Sequence, residues 1–368
     1  MQTNLLGLVV GTLAPLAAAA QILIGQTAGF SSPAEPGVTE AAEGARLYLE
    51  HVNKRGGIHG RPVELVALDD GFVPSIAADN ARKLIVEKRV LALFMSRGTP
   101  HTQAIQPLLA KYRIPLVAPS TGAMALQRPV DPWIFNVRAP YQRESEKAVQ
   151  HLASIGVTRI GVIHVNDSFG EDCMLGATRG FDKVGVRPEF VLKFQRDKPD
   201  FTNIAEQLAG SDIQAVLFIG ASASVAEGTA AIRAKGSNAQ IVTLSNNASA
   251  GFIKLMGSYA AGTIVTQVFP HERSLGAPIV KEAFDLASRK GVVELTPAML
   301  EGYAGAKVLV EGLRRAGPNP TPQKLRDALE HMGKVDIGGL QVDYGPKNHT
   351  GLKYVELSII SADGKFRR

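Results

Sequence analysis

The segment His51–Asp70, HVNKRGGIHGRPVELVALDD, connects the end of a helix to a strand that is followed by two acidic residues. The residues Thr39–Lys54 carry apolar side chains near helical spacing, which predicts an amphipathic helix. The Gly56-Gly57 pair ends that helix, and Val63–Leu68 is an apolar run of strand length. The segment therefore predicts a helix that leads directly into a strand.

The same alternation extends in both directions along the chain. The first block of predicted strands and helices is Gln21–Gln26, Thr39–Lys54, Val63–Leu68, Pro74–Lys88, Val90–Met95, Thr99–Tyr112 and Pro115–Ala118. After an extended passage, the second block of strands and helices includes Glu144–Ser154, Arg159–His164, Gly170–Lys183, Arg187–Phe194, Ala215–Ile219, Gln240–Leu244 and Ile264–Phe269. The last predicted elements are helices at Pro278–Lys290, Pro297–Ala316 and Pro322–Met332, then strands at Leu340–Tyr344 and Tyr354–Ile360. This order predicts an α/β fold with mostly parallel sheets and helices on both faces. Because 368 residues exceed one ordinary core, we expect two lobes.

Charge and cysteine content exclude some classes of protein. The net charge is +6, but the 40 basic residues are dispersed among 34 acidic ones, so nucleic-acid binding is not expected. The single cysteine, Cys173, excludes a disulfide within the chain and is expected to be a buried apolar residue.

The first twenty residues have the pattern of an export signal. Leu5–Leu16 has the length of a signal core, and Ala17–Ala20 offers small residues for cleavage before Gln21. Met1–Asn4 contains no Lys or Arg, so an N-terminal core helix remains the alternative. We expect residues 1–20 to be a signal peptide and the mature protein to be soluble.

The sequence contains no familiar catalytic or cofactor motif. The first turn lacks the glycine spacing of a dinucleotide site, and no phosphate-binding loop, nucleophile elbow or zinc motif is present. The eight histidines are scattered. We therefore expect no enzyme activity, no cofactor and no metal site, although an enzyme with an unrecognised constellation remains an alternative.

Polar residues follow two predicted strands of the first block. One strand leads into Ser96-Arg97-Gly98-Thr99 and the next into Ser120-Thr121-Gly122. Ligands of open α/β sheets bind at the carboxyl ends of strands, and hydroxyls with the free N–H groups of a helix start suit a carboxylate. These turns are therefore predicted to bind a carboxylate, the alternative being that the hydroxyls only cap helices.

At this point the chain resembles the branched-chain amino-acid-binding (leucine/isoleucine/valine-binding) family of periplasmic binding proteins, from Gln21 to Phe366. The most specific stretch is HVNKRGGIHGRPVEL, residues 51–65. Further stretches of likeness are IPLVAPSTGA (114–123), WIFNVRAPYQRESEKAV (133–149), RIGVIHVNDSFGEDCMLG (159–176) and EGYAGAKVLVEGLRRAG (301–317). The resemblance implies two Rossmann-like lobes joined by three crossover segments, with residues 21–138 and 268–337 in lobe 1 and residues 139–267 and 338–368 in lobe 2.

The resemblance also implies site residues. Carried over, the carboxylate contacts of the family fall on Ser96, Ser120, Thr121 and the backbone of Gly122. An aromatic residue of the second lobe corresponds to Phe169, for which core packing is the alternative. Tyr141, just after the crossover, is a further candidate for the cleft, with simple surface exposure as the alternative.

One departure from the family bears on the ligand. Amino-acid binders of this family have an acidic residue in the second lobe that pairs with the ligand's ammonium, whereas this chain reads TLSNNASAG at residues 243–251, with Asn246 as the candidate contact. A buried ammonium without a counter-charge is costly. Arg97 adds a cation that suits a ligand acid, unless it points to solvent. These observations favour a carboxylate ligand without an ammonium, and Phe169 with Tyr141 favours an aromatic one.

Together these features predict a periplasmic solute-binding protein. It would close on a small molecule, leave it unchanged and deliver it to the membrane permease of an ABC transporter, and we expect a monomer. An aliphatic amino-acid or amide binder and a ligand sensor that signals to a receptor remain the alternatives.

Overall fold

The computed structural model describes residues 21–368, so the predicted signal peptide lies outside the described residues. The strands in chain order are β1 (Ile22–Ala28), β2 (Val63–Asp69), β3 (Ala92–Phe94), β4 (Leu116–Val117), β5 (Ile134–Phe135), β6 (Ile160–Val165), β7 (Val191–Phe194), β8 (Ala215–Ile219), β9 (Gln240–Thr243), β10 (Ile264–Gln267), β11 (Gly333–Asp336), β12 (Gln341–Tyr344), β13 (Glu356–Ile360) and β14 (Phe366–Arg367). The α-helices are α1 (Gly37–Lys54), α2 (Pro74–Val86), α3 (Thr99–Tyr112), α4 (Tyr141–Ser154), α5 (Ser168–Val184), α6 (Thr202–Leu208), α7 (Ser222–Ala234), α8 (Ala250–Met256), α9 (Pro278–Ser288), α10 (Pro297–Arg315) and α11 (Pro322–Glu330).

Two separate sheets form the centres of the two lobes. The first has the order β2-β1-β3-β4-β5 and is parallel throughout. The second has the order β14-β13-β10-β9-β8-β6-β7, in which β10, β9, β8, β6 and β7 are parallel and β13 and β14 are antiparallel additions at one edge. The predicted α/β class with parallel sheets is confirmed.

The chain crosses between the lobes three times. The first crossing leads from β5 to α4, and the second from β10 to α9, which packs in the first core with α10 and α11. The hairpin of β11 and β12 also packs there, because Val342 and Tyr344 belong to the first core. The predicted boundary between residues 337 and 338 falls inside this hairpin. The third crossing therefore follows Tyr344 and ends at β13.

The first lobe depends on a close contact between α1 and α10. A Cβ atom added at Gly44 would lie 1.9 Å from the carbonyl oxygen of Met299, and one at Gly302 would lie 1.8 Å from that of Ala41. Only glycine permits this separation of the helix backbones. The contact fixes α10, and with it Glu301, next to the carboxyl ends of β3 and β4.

Element bounds differ from the predictions mainly at the ends of short strands. The predicted strand Arg187–Phe194 begins only at Val191, and Tyr354–Ile360 begins at Glu356. The strands β11 and β14 were not predicted from the sequence; their alternating burial covers only two to four residues. Cys173 is buried, as expected. Within residues 21–368, none of the helices combines the length and apolar character needed to span a bilayer.

Candidate functional site

A small cavity lies between the two lobes at the carboxyl ends of their strands. Its volume is about 20 Å³, enough for roughly one water molecule, so a larger solute requires the lobes to separate. We call it the cleft cavity. Its lining residues are Glu35, Phe72, Arg97, Gly98 and Thr99 from the first lobe and Tyr141, Phe169, Arg196 and Asn246 from the second.

The turn after β3 brings backbone and side-chain donors to this cavity. Gly98 precedes α3 with φ of 93°, and a Cβ there would lie 2.7 Å from Nδ1 of His101, so the turn requires glycine. Helix α3 begins at Thr99, and the first N–H groups of a helix have no partner within it. These groups and the positive end of the helix dipole favour an anion at this position.

Arg97 is buried and donates four hydrogen bonds. Its Nε and Nη2 atoms donate to Oε2 of Glu35 at 3.1 and 2.5 Å, and Nη1 donates to the Ser120 hydroxyl at 2.9 Å. Nη2 also donates to the main-chain carbonyl of Asn246 at 2.8 Å. The Arg97 guanidinium, which the sequence suggested as a partner for a ligand acid, is therefore already paired with Glu35.

A second layer of charged groups lies behind the cavity. The Ser120 hydroxyl donates to Oε1 of Glu301 at 2.7 Å, and Nη1 of Arg138 lies 3.6 Å from Oε2 of Glu301. Nη2 of Arg138 donates to Glu144 at 2.6 Å and to the Ser245 hydroxyl at 2.5 Å. Because Arg138 lies on the first crossing and contacts both lobes, this cluster connects the site to the hinge.

Four of the predicted site residues support the wall of the cavity but do not line it. The Ser96 hydroxyl bonds to that of Thr102 at 2.9 Å, and the Thr121 hydroxyl bonds to that of Thr99 at 2.8 Å. Ser120 is occupied by Arg97 and Glu301, as described. The carbonyl of Gly122 accepts the N–H of Tyr141 at 2.9 Å, which holds the first crossing against the turn after β4.

The other predicted residues line the cavity. Tyr141 and Phe169 pack edge to face with ring centroids 4.8 Å apart, and the Arg138 guanidinium lies 4.4 Å from the centre of the Tyr141 ring. Asn246 donates from Nδ2 to the carbonyl of Gly220 at 2.9 Å, while its buried Oδ1 has no hydrogen-bond partner among residues 21–368. This oxygen is an unused acceptor on a residue that lines the cavity.

Three lining residues were not predicted. Phe72 follows the acidic pair at the end of β2, so it lies in a loop at the carboxyl end of a strand, where ligands of open α/β sheets bind. The Phe72 ring stacks on the His101 ring with the ring centroids 4.4 Å apart. Burial lowers the pKa of His101 to about 4, so this ring is neutral at neutral pH. Arg196 pairs with Asp167 at 2.5 Å and lies 5.4 Å from the centre of the Phe72 ring. Glu35 carries no motif, since it lies in the irregular loop before α1.

Comparisons with known proteins all find periplasmic binding proteins. The family model described as "Periplasmic binding protein" matches residues 21–365. The Leu/Ile/Val-binding protein homolog 3 of Brucella melitensis is 23% identical over 321 residues, which are 86% of this chain and 85% of the relative. A periplasmic substrate-binding protein from Ralstonia solanacearum has a crystal structure with a TM-score of 0.86 and 31% identity, covering 94% of this chain and 99% of that one.

A more distant solved structure shows the same fold with a ligand. It is the branched-chain amino acid transporter substrate-binding protein of Streptococcus pneumoniae in complex with isoleucine, with a TM-score of 0.82 and 17% identity, covering 95% of this chain and 98% of that one. The chain resembles Leu/Ile/Val-binding proteins along most of its length, which confirms the resemblance seen in the sequence. The chain belongs to the periplasmic binding protein family.

Proposed function

We propose that this protein captures a small carboxylate-bearing solute in the periplasm by closing its two lobes, and then delivers it unchanged to the permease of an ABC importer. The observation that carries the proposal is the cleft cavity, to which both lobes contribute polar and aromatic residues. A monomer suffices for this task, because each chain supplies both halves of the cavity.

The carboxylate of the solute is expected at the start of α3. Thr99 offers a hydroxyl and a first-turn N–H there, and the glycine at position 98 leaves the backbone open to close approach. Hydrogen bonds to an ionised acceptor in a site without bulk water are among the stronger ones in proteins. This end of the cavity therefore supplies hydrogen-bond donors for the carboxylate but no unpaired cation.

An ammonium group has acceptors at the other side of the cavity. Both bonds from Arg97 go to Oε2 of Glu35, so Oε1 accepts none from the described residues, and Oδ1 of Asn246 is also without a partner. The sequence favoured a ligand without an ammonium because the second lobe lacks an acid, but Glu35 supplies one from the first lobe. We therefore propose an amino acid as the ligand, which agrees with the names of the relatives.

An acid without an ammonium is the second candidate, and one contact favours it. The Glu35 carboxylate is already neutralised by Arg97 at 2.5 Å, so the site does not need a cationic ligand group for charge balance. The aromatic rings of Phe72, Tyr141 and Phe169 would suit the body of an aromatic acid. The two candidates differ by a single functional group.

Matched pairs of ligands separate the candidates. Leucine is compared with 4-methylpentanoate, and phenylalanine with 3-phenylpropanoate, by thermal shift and calorimetry on the mature protein. A ligand at about 100 times its Kd stabilises the folded state by about 2.7 kcal/mol. We expect binding of at least one amino acid and weaker binding of its deaminated partner. Stronger binding of the deaminated acids would favour the second candidate, an acid without an ammonium. Conversion of a ligand to a product would contradict solute binding.

A variant then tests the role of Glu35. Glu35→Gln should reduce the preference for the amino acid over its deaminated partner, because the charged acceptor is lost. Glu43→Gln is the matched control, since Glu43 is exposed on α1 and does not line the cavity. An unchanged preference in Glu35→Gln would exclude Glu35 as the ammonium acceptor.

A further inference from the structure

A second and larger cavity of about 410 Å³ lies at the seam between the lobes. We call it the seam groove. It is bounded by Met124 and Arg128 from the first lobe, Arg143 and Arg179 from the second, and Leu352 and Lys353 from the third crossing. Its volume is within the range of small-molecule sites, roughly 300–1,000 Å³.

The seam groove is distinct from the cleft cavity. Pro140 and Gln142 line the groove, while Tyr141 between them lines the cleft cavity. The two cavities share no lining residue, so they lie on opposite sides of the first crossing. A ligand could therefore occupy one without contacting the other.

The charge of the seam groove is strongly positive. Arg128, Arg143, Arg179 and Lys353 line it, together with a single carboxylate, Glu146. That carboxylate is already engaged, since Lys183 donates to it at 2.5 Å and Arg179 lies at 3.5 Å. Burial alone would raise the pKa of Glu146, but the contacts with Lys183 and Arg179 lower it below its usual value, so Glu146 is ionised.

Two of the cations are unengaged. Arg128 and the Lys353 ammonium make no ion pair or side-chain hydrogen bond within residues 21–368, and both residues are exposed. Arg143 is held in place by its Nε donating to the carbonyl of Lys353 at 2.6 Å. Cations of both lobes thus converge on one concave surface, which favours an anionic occupant.

The floor of the groove is apolar and contains one unsatisfied polar group. Met124, Pro140 and Leu352 provide the apolar surface. The side chain of Gln127 is completely buried, with Nε2 donating to the carbonyl of Gly122 at 3.3 Å and Oε1 without a partner among the described residues. This combination of an apolar floor and a cationic rim fits an anion with an apolar body.

We propose that the seam groove is a second binding site, for an anionic molecule with an apolar body such as a medium-chain carboxylate. Its walls belong to both lobes and to the third crossing, so hinge closure changes the spacing between Arg128 and the arginines of the second lobe. By linkage, an occupant that prefers one spacing alters the affinity of the cleft for its solute, and the solute alters the affinity of the groove to the same extent.

The test uses two anionic probes on the full mature protein: octanoate by calorimetry and anilinonaphthalene sulfonate by fluorescence. Octylammonium, which has the same chain and the opposite charge, is the matched control probe. We expect both anions to bind, octylammonium to bind much more weakly, and added salt to weaken the anions.

Variants then locate the site. Arg128→Gln with Lys353→Gln should weaken both anions about tenfold or more, through loss of charge-assisted contacts. Lys254→Gln with Arg289→Gln removes two exposed cations elsewhere and should leave binding unchanged. Thermal melting checks that each variant folds, which we expect since the substituted residues are exposed.

The outcomes separate this proposal from the proposed function. Anion binding that is lost in the groove variant but retained in Thr99→Val assigns it to the seam groove, even if no cleft ligand is found. Equal binding by the groove variant and the unaltered protein would overturn the proposal. So would loss of anion binding only in Thr99→Val, or equally tight binding of octylammonium.

Discussion

The guanidinium of Arg97 in the first lobe donates a hydrogen bond of 2.8 Å to the main-chain carbonyl of Asn246 in the second lobe. The same guanidinium is neutralised by Glu35 within its own lobe. Arg97 therefore connects the two lobes while its charge is neutralised by Glu35, and that charge is not available to pair with a ligand. Both residues of the ion pair are buried, which makes the pair sensitive to the loss of either partner.

We predict that Arg97→Met is strongly destabilising. It leaves the buried carboxylate of Glu35 unpaired, which costs about 3–5 kcal/mol in free energy of unfolding. The double variant Arg97→Met with Glu35→Leu should recover most of that loss, because it removes both charges. Urea unfolding followed by circular dichroism measures both changes.

The exposed pair of Lys281 and Asp285 on α9 is the control for that experiment. These residues lie 2.8 Å apart but near the solvent, so Lys281→Met should cost less than about 1 kcal/mol. A similarly small cost for Arg97→Met would show that the buried pair has no special role.

Thr99 is predicted to contribute directly to ligand affinity. Its hydroxyl bonds to that of Thr121 at 2.8 Å and lies at the start of α3. Thr99→Val keeps the shape but removes the hydroxyl, and we expect about tenfold weaker binding of the solute found in the ligand comparison. Thr99→Ser should bind nearly normally. Weaker binding in Thr99→Ser, with normal binding in Thr99→Val, would mean that the methyl group, and not the hydroxyl, matters.

Close packing of α1 on α10 predicts a large effect at Gly44. An added Cβ there overlaps the carbonyl of Met299 at 1.9 Å, so Gly44→Ala forces the helices apart and should cost about 2 kcal/mol or more. Gly276→Ala is the control, since nothing lies within 4 Å of the position of its Cβ. Thermal melting of the two variants compares them, and equal melting temperatures would contradict the packing argument.

We predict that Asp70 makes the free energy of unfolding depend on pH. Burial raises its pKa to about 6, while hydrogen bonds from Phe72 and Thr27 oppose the shift only in part. Because the folded state holds this proton more tightly than the unfolded state, its contribution to stability is present below about pH 4 and is lost as the pH rises through about 6. The loss amounts to about 2–3 kcal/mol.

Comparison with Asp70→Asn isolates that contribution. Unfolding free energies measured from pH 4 to pH 7 should fall in the unaltered protein relative to Asp70→Asn. Hydrogen bonds from Ser31 lower the pKa of Asp69, so its contribution to stability is lost only as the pH falls below about 4. Asp69→Asn should therefore run nearly parallel to the unaltered protein from pH 4 to pH 7. Parallel pH profiles for the unaltered protein and Asp70→Asn would show that Asp70 titrates normally.

Much of the architecture follows from local patterns in the sequence. The Gly56-Gly57 pair ends α1 as predicted, with the N–H of Gly57 returning to the carbonyl of Val52 at 3.0 Å. The strand-end rule also identified the turn at Gly98 and Thr99, which lines the cleft cavity. The end of α1 could be predicted because a helix end depends on a few neighbouring residues, whereas ligand binding by the turn at Gly98 and Thr99 stays a prediction.

The role of individual site residues depends on distant contacts that no local pattern reports. Glu35 and Arg97 are separated by 62 residues, so their pairing could not be inferred from spacing. Ser96 and Thr121 lie on the predicted turns, but their hydroxyls bond to neighbouring threonines behind the cavity wall. The sequence thus indicated which turns lie near the cleft cavity and could not tell which of their side chains line it.

Small-angle X-ray scattering of the mature protein, with and without a saturating amino acid that calorimetry shows to bind, tests hinge closure most directly. We predict a smaller radius of gyration with the ligand, and unchanged ligand recovered from the sample. The same radius of gyration in both states would contradict capture by closure of the two lobes.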